Sequence, residues 1–183
     1  MRKVIAAINM TLDGNCDHMA GIPDYEIHRH YTDLLKDAGI LLYGRITYKL
    51  MEFWRPFVAN PSGNKSMDEF AIAIDKVPKI VFSNSLKNLD WESARLAKRP
   101  PEEEVTELKK QNGKDIYVGS PGLISTLTNL NLIDEYQLCI HPVIAGSGLP
   151  LFKNIKEKII LKHTKTKSLN GGANILYYIR NIE

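Results

Sequence analysis

Long apolar runs, paired cysteines and a marked charge excess are all missing from this sequence, and each absence removes a class of protein. No stretch approaches the roughly eighteen consecutive apolar residues of a membrane-spanning helix. Met1-Arg2-Lys3 leads straight into VIAAIN, without the apolar segment and small-residue cleavage site of a secretory leader. The expectation is a soluble, cytoplasmic chain with no membrane partner. Its two cysteines, Cys16 and Cys139, lie far apart with no CxxC, which predicts free thiols rather than a disulfide or zinc framework. His28, His30, His141 and His163 share no ligand-like spacing, so no metal is expected. With 24 Lys+Arg against 21 Asp+Glu, the formal charge of +3 is too mild to imply nucleic acid. Neither GxGxxG nor GxxxxGK occurs, which excludes the standard dinucleotide fingerprint and the nucleotide-triphosphate cradle.

What is present is an alternation of apolar strands and amphipathic helices. At 183 residues and 44% hydrophobic, the chain can bury one substantial core, and residues 1–183 are read as one domain. KVIAAIN (3–9), ILLYG (40–44), KIVFS (79–83) and DIYVG (115–119) are continuous apolar runs closed by turn residues, the pattern of strands covered on both faces. Between them lie four helices. The first, 24–38, has Tyr25, Ile27, Tyr31, Leu34, Leu35 and Ala38 at helical spacing. A short one is opened by Thr47 over 47–54, and 66–74 follows with Ser66 and Glu69 in capping-box register. Segment 100–111 runs from acids to lysines, as the helix dipole favours. After a less regular 85–100 with a short strand near Trp91, and a helix over 121–132, come a long strand at 134–144 and a terminal pair, 159–169 and 173–180, around Asn170-Gly171-Gly172. Lys165 and Lys167, at strand period, read as a solvated strand face. The predicted class is α/β: a three-layer fold with a mixed, mainly parallel central sheet, helices on both faces and an antiparallel C-terminal hairpin.

Three polar or glycine-rich turns follow directly on buried strands, where open α/β sheets bind ligands. They are Gly44-Arg45-Ile46-Thr47, Ser83-Asn84-Ser85 and Gly119-Ser120-Pro121-Gly122. The first and third precede helices whose free N–H groups can hold an anion, and Arg45 adds a fork of donors suited to a phosphate. Taken singly, each has an ordinary reading as a turn, a cap or a surface ion pair. Their coincidence at three strand ends suggests a dinucleotide site.

VIAAIN, TLDG (11–14), YGRITY (43–48), VFSNS (81–85), YVGSPGL (117–123) and HPVIAGSGLPLF (141–152) stand in the order seen in the dihydrofolate reductase-like superfamily, and the chain most resembles the RibD C-terminal reductases and their stand-alone relatives. The resemblance implies NADPH as cofactor, with Ala7 and Ile8 at the nicotinamide, Arg45 and Thr47 on phosphates beside Gly44, and Ser83 by the adenosine ribose. Gly119, Ser120, Gly122 and Leu123 would line the pyrophosphate, although many relatives carry Gly-Gly where this chain has Gly119-Ser120. It implies a small heterocyclic or ribosylaminopyrimidine substrate beside the Gly146-Ser147-Gly148 loop, and a homodimer. For the apolar strand ILYYI (175–179) the alternatives are a dimer contact or burial in the chain's own sheet. No proton donor is assigned: the candidates are Asn9, Thr11 and Asp13, read as lying past the first strand, and Glu26 on the first helix, where Asp24 and Asp33 are read as a cap and an exposed face. A dihydrofolate reductase proper and a non-catalytic nucleotide-binding module stay open as alternatives.

Overall fold

The computed structural model describes residues 1–181. The strands are β1 (Val4–Thr11), β2 (Ile40–Gly44), β3 (Lys79–Phe82), β4 (Ala94–Leu96), β5 (Ile116–Val118), β6 (Glu135–His141), β7 (Leu161–Ser168) and β8 (Asn174–Arg180). The helices are α1 (Tyr25–Asp37), α2 (Arg45–Met51), α3 (Pro56–Ala59), α4 (Lys65–Lys76), α5 (Pro101–Lys110) and α6 (Pro121–Asn129), with a 3₁₀ turn at Glu52–Trp54 between α2 and α3. Among the described residues, none of the helices is long and apolar enough to cross a membrane.

One sheet of eight strands runs in the order β4-β3-β2-β5-β1-β6-β8-β7. β4 through β6 are mutually parallel. β8 is antiparallel to both β6 and β7, forming the C-terminal hairpin. Alternate residues of the inner strands face opposite layers. Val4, Ala6, Ile8, Leu42 and Val118 pack under Val105 and Leu108 of α5 and Leu123, Ile124 and Leu127 of α6. On the other face, Leu41, Tyr43 and Val81 meet Leu35 of α1 and Ile74 of α4. This double cover is why the inner strands read as unbroken apolar runs.

Several boundaries differ from the sequence reading for local reasons. β1 extends to Thr11, so Asn9 and Thr11 belong to the strand, paired with Cys139 and His141 of β6. Arg45 already opens α2, with Gly44 as its N-cap, and Thr47 is its third residue. Helix α4 begins at Lys65 because the Asn64 side chain accepts from the N–H groups of Ser66 and Met67, displacing the Ser66 capping box. The strand near Trp91 forms at Ala94–Leu96. α6 ends at Asn129 and β6 at His141, both short of the expected limits. Strand β8 is no edge: it is paired on both sides, so it offers no open ladder to a second copy. The edge strands are the short β4 and, next to β8, β7, whose residues are almost all exposed and whose lysines blunt strand addition.

Candidate active site

Because β2, β3, β5 and β1 are parallel, their carboxyl ends open on one side of the sheet. Val118 lies opposite both Ala6 and Leu42, which brings the turn after β5 between Ala7 and Gly44. A Cβ on Gly119 would come 3.3 Å from the Ala7 carbonyl oxygen, tighter than side chains normally accept, so glycine permits this close approach. Beyond it, Pro121 occupies the first position of α6, and the first helical bond runs from Ile124 N–H to the Ser120 carbonyl at 2.8 Å. The N–H groups of Gly122 and Leu123 therefore precede the helix ladder, and nothing lies within 4 Å of where a Gly122 side chain would project. The Leu123 side chain itself is core, as are Ala7 and Ile8, so only their backbones are available to a ligand.

The Ser120 side chain is engaged within the fold. Its hydroxyl is buried and accepts the Gly44 N–H at 2.9 Å, joining the turn after β2 to the turn after β5. Ser120→Ala is expected to lower stability by about 1 kcal/mol, since it leaves the Gly44 N–H without that acceptor. Urea unfolding checks this. Arg45 is exposed, with neither a hydrogen bond nor an ion pair among the described residues. Thr47 is half-buried. Ser83 follows β3, next to this turn through the Gly44–Phe82 pairing, and its hydroxyl accepts from Ser85 N–H at 3.2 Å and Leu86 N–H at 3.0 Å.

The candidates on the other side of β1 are largely engaged. Asp13 accepts from the Thr11 hydroxyl, from Gly146 N–H at 2.7 Å and from Ala145 N–H at 3.2 Å. These bonds, the Thr11 hydroxyl first, hold its carboxyl down at about 2, so at neutral pH it is a carboxylate with no proton to give. The buried Thr11 hydroxyl also accepts from Asn15 N–H at 3.0 Å. Asn15 in turn donates to the Ser147 carbonyl and accepts from Leu149 N–H at 2.9 Å. The TLDGN turn thus clamps the Gly146-Ser147-Gly148 loop. Gly148 is obligatory there: φ is +136°, and a Cβ would fall 2.0 Å from Asn15 Nδ2. On α1, Asp24 caps Ile27 N–H at 2.8 Å, Glu26 holds the Asn170 backbone and side-chain amides, and Asp33 pairs with Lys36 at 2.9 Å. Asp24, Glu26 and Asp33 all have structural partners.

Sequence reading missed a polar chain across the end of β1. His141, in β6 and 2% exposed, accepts the Ile22 N–H on Nδ1 at 3.1 Å and meets Asn9 Oδ1 through Nε2 at 3.1 Å. Tyr31 of α1 donates its hydroxyl to the same Oδ1 at 3.1 Å. Burial lowers the basicity of His141 and raises the Tyr31 pKa, keeping both neutral. A lone polar residue in an apolar strand, such as Asn9 or His141, was the available signal. Cys16 and Cys139 are free and buried, each thiol pushed up to about 12 by desolvation.

Among similar proteins, the uncharacterised protein YyaP of Bacillus subtilis (strain 168) is 34% identical over 181 residues, covering 97% of this chain and 94% of YyaP. A candidate riboflavin biosynthesis protein from Shewanella sp. PV-4 superposes with a TM-score of 0.74 at 17% identity, over 99% of both chains. The diaminohydroxyphosphoribosylaminopyrimidine deaminase/5-amino-6-(5-phosphoribosylamino)uracil reductase of Thermotoga maritima superposes with a TM-score of 0.63 at 15% identity, over 98% of this chain and 57% of that one. At those identities the two structures establish a shared fold. The sequence pattern of the RibD C-terminal domain matches residues 2–177, and the chain belongs to the RibD C-terminal domain family.

Proposed function

We propose that this chain is an NADPH-dependent reductase that passes hydride to a small heterocyclic or ribosylaminopyrimidine substrate, in the manner of a 5-amino-6-(5-phosphoribosylamino)uracil reductase. The observation that carries the reading is the meeting of three turns at adjacent parallel strand ends, with Arg45 and the N–H groups of Gly122 and Leu123 unpaired among the described residues, and a Gly119 that keeps the Ala7 carbonyl approachable. This donor set suits a ligand with several phosphates and a flat amide-bearing ring. The Gly122 and Leu123 N–H groups would hold the pyrophosphate, Arg45 and Ser83 the adenosine side, and the Ala7 and Ile8 backbone the nicotinamide. Bound there, NADPH would supply the hydride, while the protein orients the two rings and excludes water.

The fold neighbour from Thermotoga, named as carrying a uracil reductase activity, supports the substrate class. A dihydrofolate reductase proper is disfavoured by the candidate carboxylates Asp24, Glu26 and Asp33, which are tied to a cap, a turn and a lysine. Calorimetric titration with NADPH is expected to give saturable heat at micromolar to millimolar concentrations. No saturable heat at millimolar NADPH would end the reductase reading. Binding without loss of cofactor absorbance across a screen of pyrimidine and carbonyl substrates would point to a nucleotide-binding module instead.

A further inference from the structure

We infer that the side-chain amide of Asn9 is the substrate-recognising group of this site, a fixed N–H donor that selects a ring carbonyl, with His141 and Tyr31 as its positioning residues. The inference rests on the proposed reductase reading only for the ligand being a flat heterocycle.

The first observation is where Asn9 is exposed. β1 lies at the middle of the sheet, between β5 and β6, and its first five residues are all buried. Asn9 is on the same face as Ala7, yet it is open to solvent. An exposed residue on a central strand means that the covering layer, here α1, stops short of it. The uncovered spot lies two residues beyond Ala7 on the same strand.

The second is the polarity of the hydrogen bonds. A backbone N–H can only donate, so Ile22 N–H makes His141 Nδ1 the acceptor, and the ring hydrogen of the neutral imidazole must sit on Nε2. That Nε2–H needs an acceptor and finds Asn9 Oδ1. Tyr31 O–H donates to the same oxygen. Both lone pairs of Oδ1 are then occupied and the amide cannot flip without facing the His141 N–H with its own. Its Nδ2 group is left pointing away from both partners, with no acceptor among the described residues. An asparagine that merely faces water needs no such orientation, whereas here a buried histidine and a tyrosine are both committed to it.

The third is the link to the loop after β1. A Cβ on Gly21 would come 3.2 Å from the His141 ring, so segment 17–23 lies directly against the ring that orients Asn9. Seating of that segment, through Ile22 N–H, sets the tautomer that sets the amide.

A fixed donor favours a ligand that presents a carbonyl oxygen there and disfavours one that presents an amino group, because two donors would face each other in a partly desolvated site. Aspartate is almost isosteric with asparagine and can still accept from His141 and Tyr31, but it turns an oxygen outward. Asn9→Asp therefore inverts the outward chemistry while keeping the inward bonds. The probes are uracil, with oxygens at both exocyclic positions, and 2,4-diaminopyrimidine, with amino groups at both, titrated by NMR into NADP⁺-saturated protein at a pH above the diamine's own protonation.

The wild type is expected to bind uracil about tenfold more tightly than the diamine, and Asn9→Asp to reverse that order, with NADPH affinity unchanged. Tyr31→Phe and His141→Phe are expected to bring the ratio towards one, a change of preference that simple loosening of the fold would not produce; the conservative Tyr31→Phe keeps this arm readable if His141→Phe fails to fold. An unchanged uracil-to-diamine ratio in Asn9→Asp overturns the inference, and so does absence of binding of both probes to the wild type. Failure of NADPH to bind, with probe preference intact in the apoprotein, removes the reductase reading alone.

Discussion

Arg45→Ala is expected to weaken NADPH binding by about tenfold, with a ceiling near a hundredfold, and to leave NADH binding nearly unchanged. Arg45 is the first residue of α2, exposed and unpaired among the described residues, beside the turn that carries Ser83. α2 has only seven residues, so its own N–H groups and dipole offer little to an anion, and the guanidinium is the main local charge. The two cofactors differ only by the 2′-phosphate. A charge-assisted hydrogen bond to that group is worth roughly 1.5–3 kcal/mol, and exposure to salt moves the value to the lower end. Calorimetry with both cofactors at one ionic strength reads the difference. Equal losses for NADPH and NADH would show that Arg45 serves the shared phosphates and does not read the 2′-phosphate.

The parts of the fold that were legible in sequence are those set by local pattern. VIAAI, ILLY, IVF and IYV are apolar throughout because both sheet faces are covered. The turns after β2 and β5 were legible as breaks for the same reason: a polar or glycine-rich residue stands out after such a run. Element ends were not, because caps compete. Asn64 lies two residues before Ser66, and nothing in the pattern says which side chain will take the free N–H groups. The carboxyl end of β1 was least legible. Asp13 and Gly146, and Asn9 and His141, are more than 130 residues apart and meet only through the pairing of β1 with β6. An Asp-Gly pair looks like a turn from sequence alone, and it is one, but its carboxylate also holds a loop that no spacing rule connects to it.

Lys79 shows the same limit in the core and carries the largest expected stability effect: Lys79→Met is expected to cost about 3 kcal/mol and to lower Tm by about 10 °C. In sequence it is the first residue of an apolar strand, where a lysine reads as a boundary. In the structure it is 1% exposed, its Nζ donating to the carbonyls of Ile74 and Val77 at 2.5 and 2.7 Å and to Ser93 Oγ at 2.8 Å, 4.0 Å from the centre of the Trp91 ring. The last carbonyls of α4 have no helical partner, and the ammonium supplies it. Methionine matches the length of the chain but leaves those oxygens buried and unsatisfied. Burial pulls the Lys79 pKa down to about 8, against about 10.4 for an unfolded lysine, with Asp75 opposing the shift. The folded form therefore binds fewer protons than the unfolded chain between these values, so this group's contribution to stability rises with pH across that window and is flat below it. The stability difference between wild type and Lys79→Met, measured by urea unfolding, should widen from pH 8 to pH 10. A variant as stable as the wild type would mean that water satisfies the α4 carbonyls, and a difference that narrows over that range would mean that the oxygens around Nζ hold the ammonium more strongly than burial opposes it.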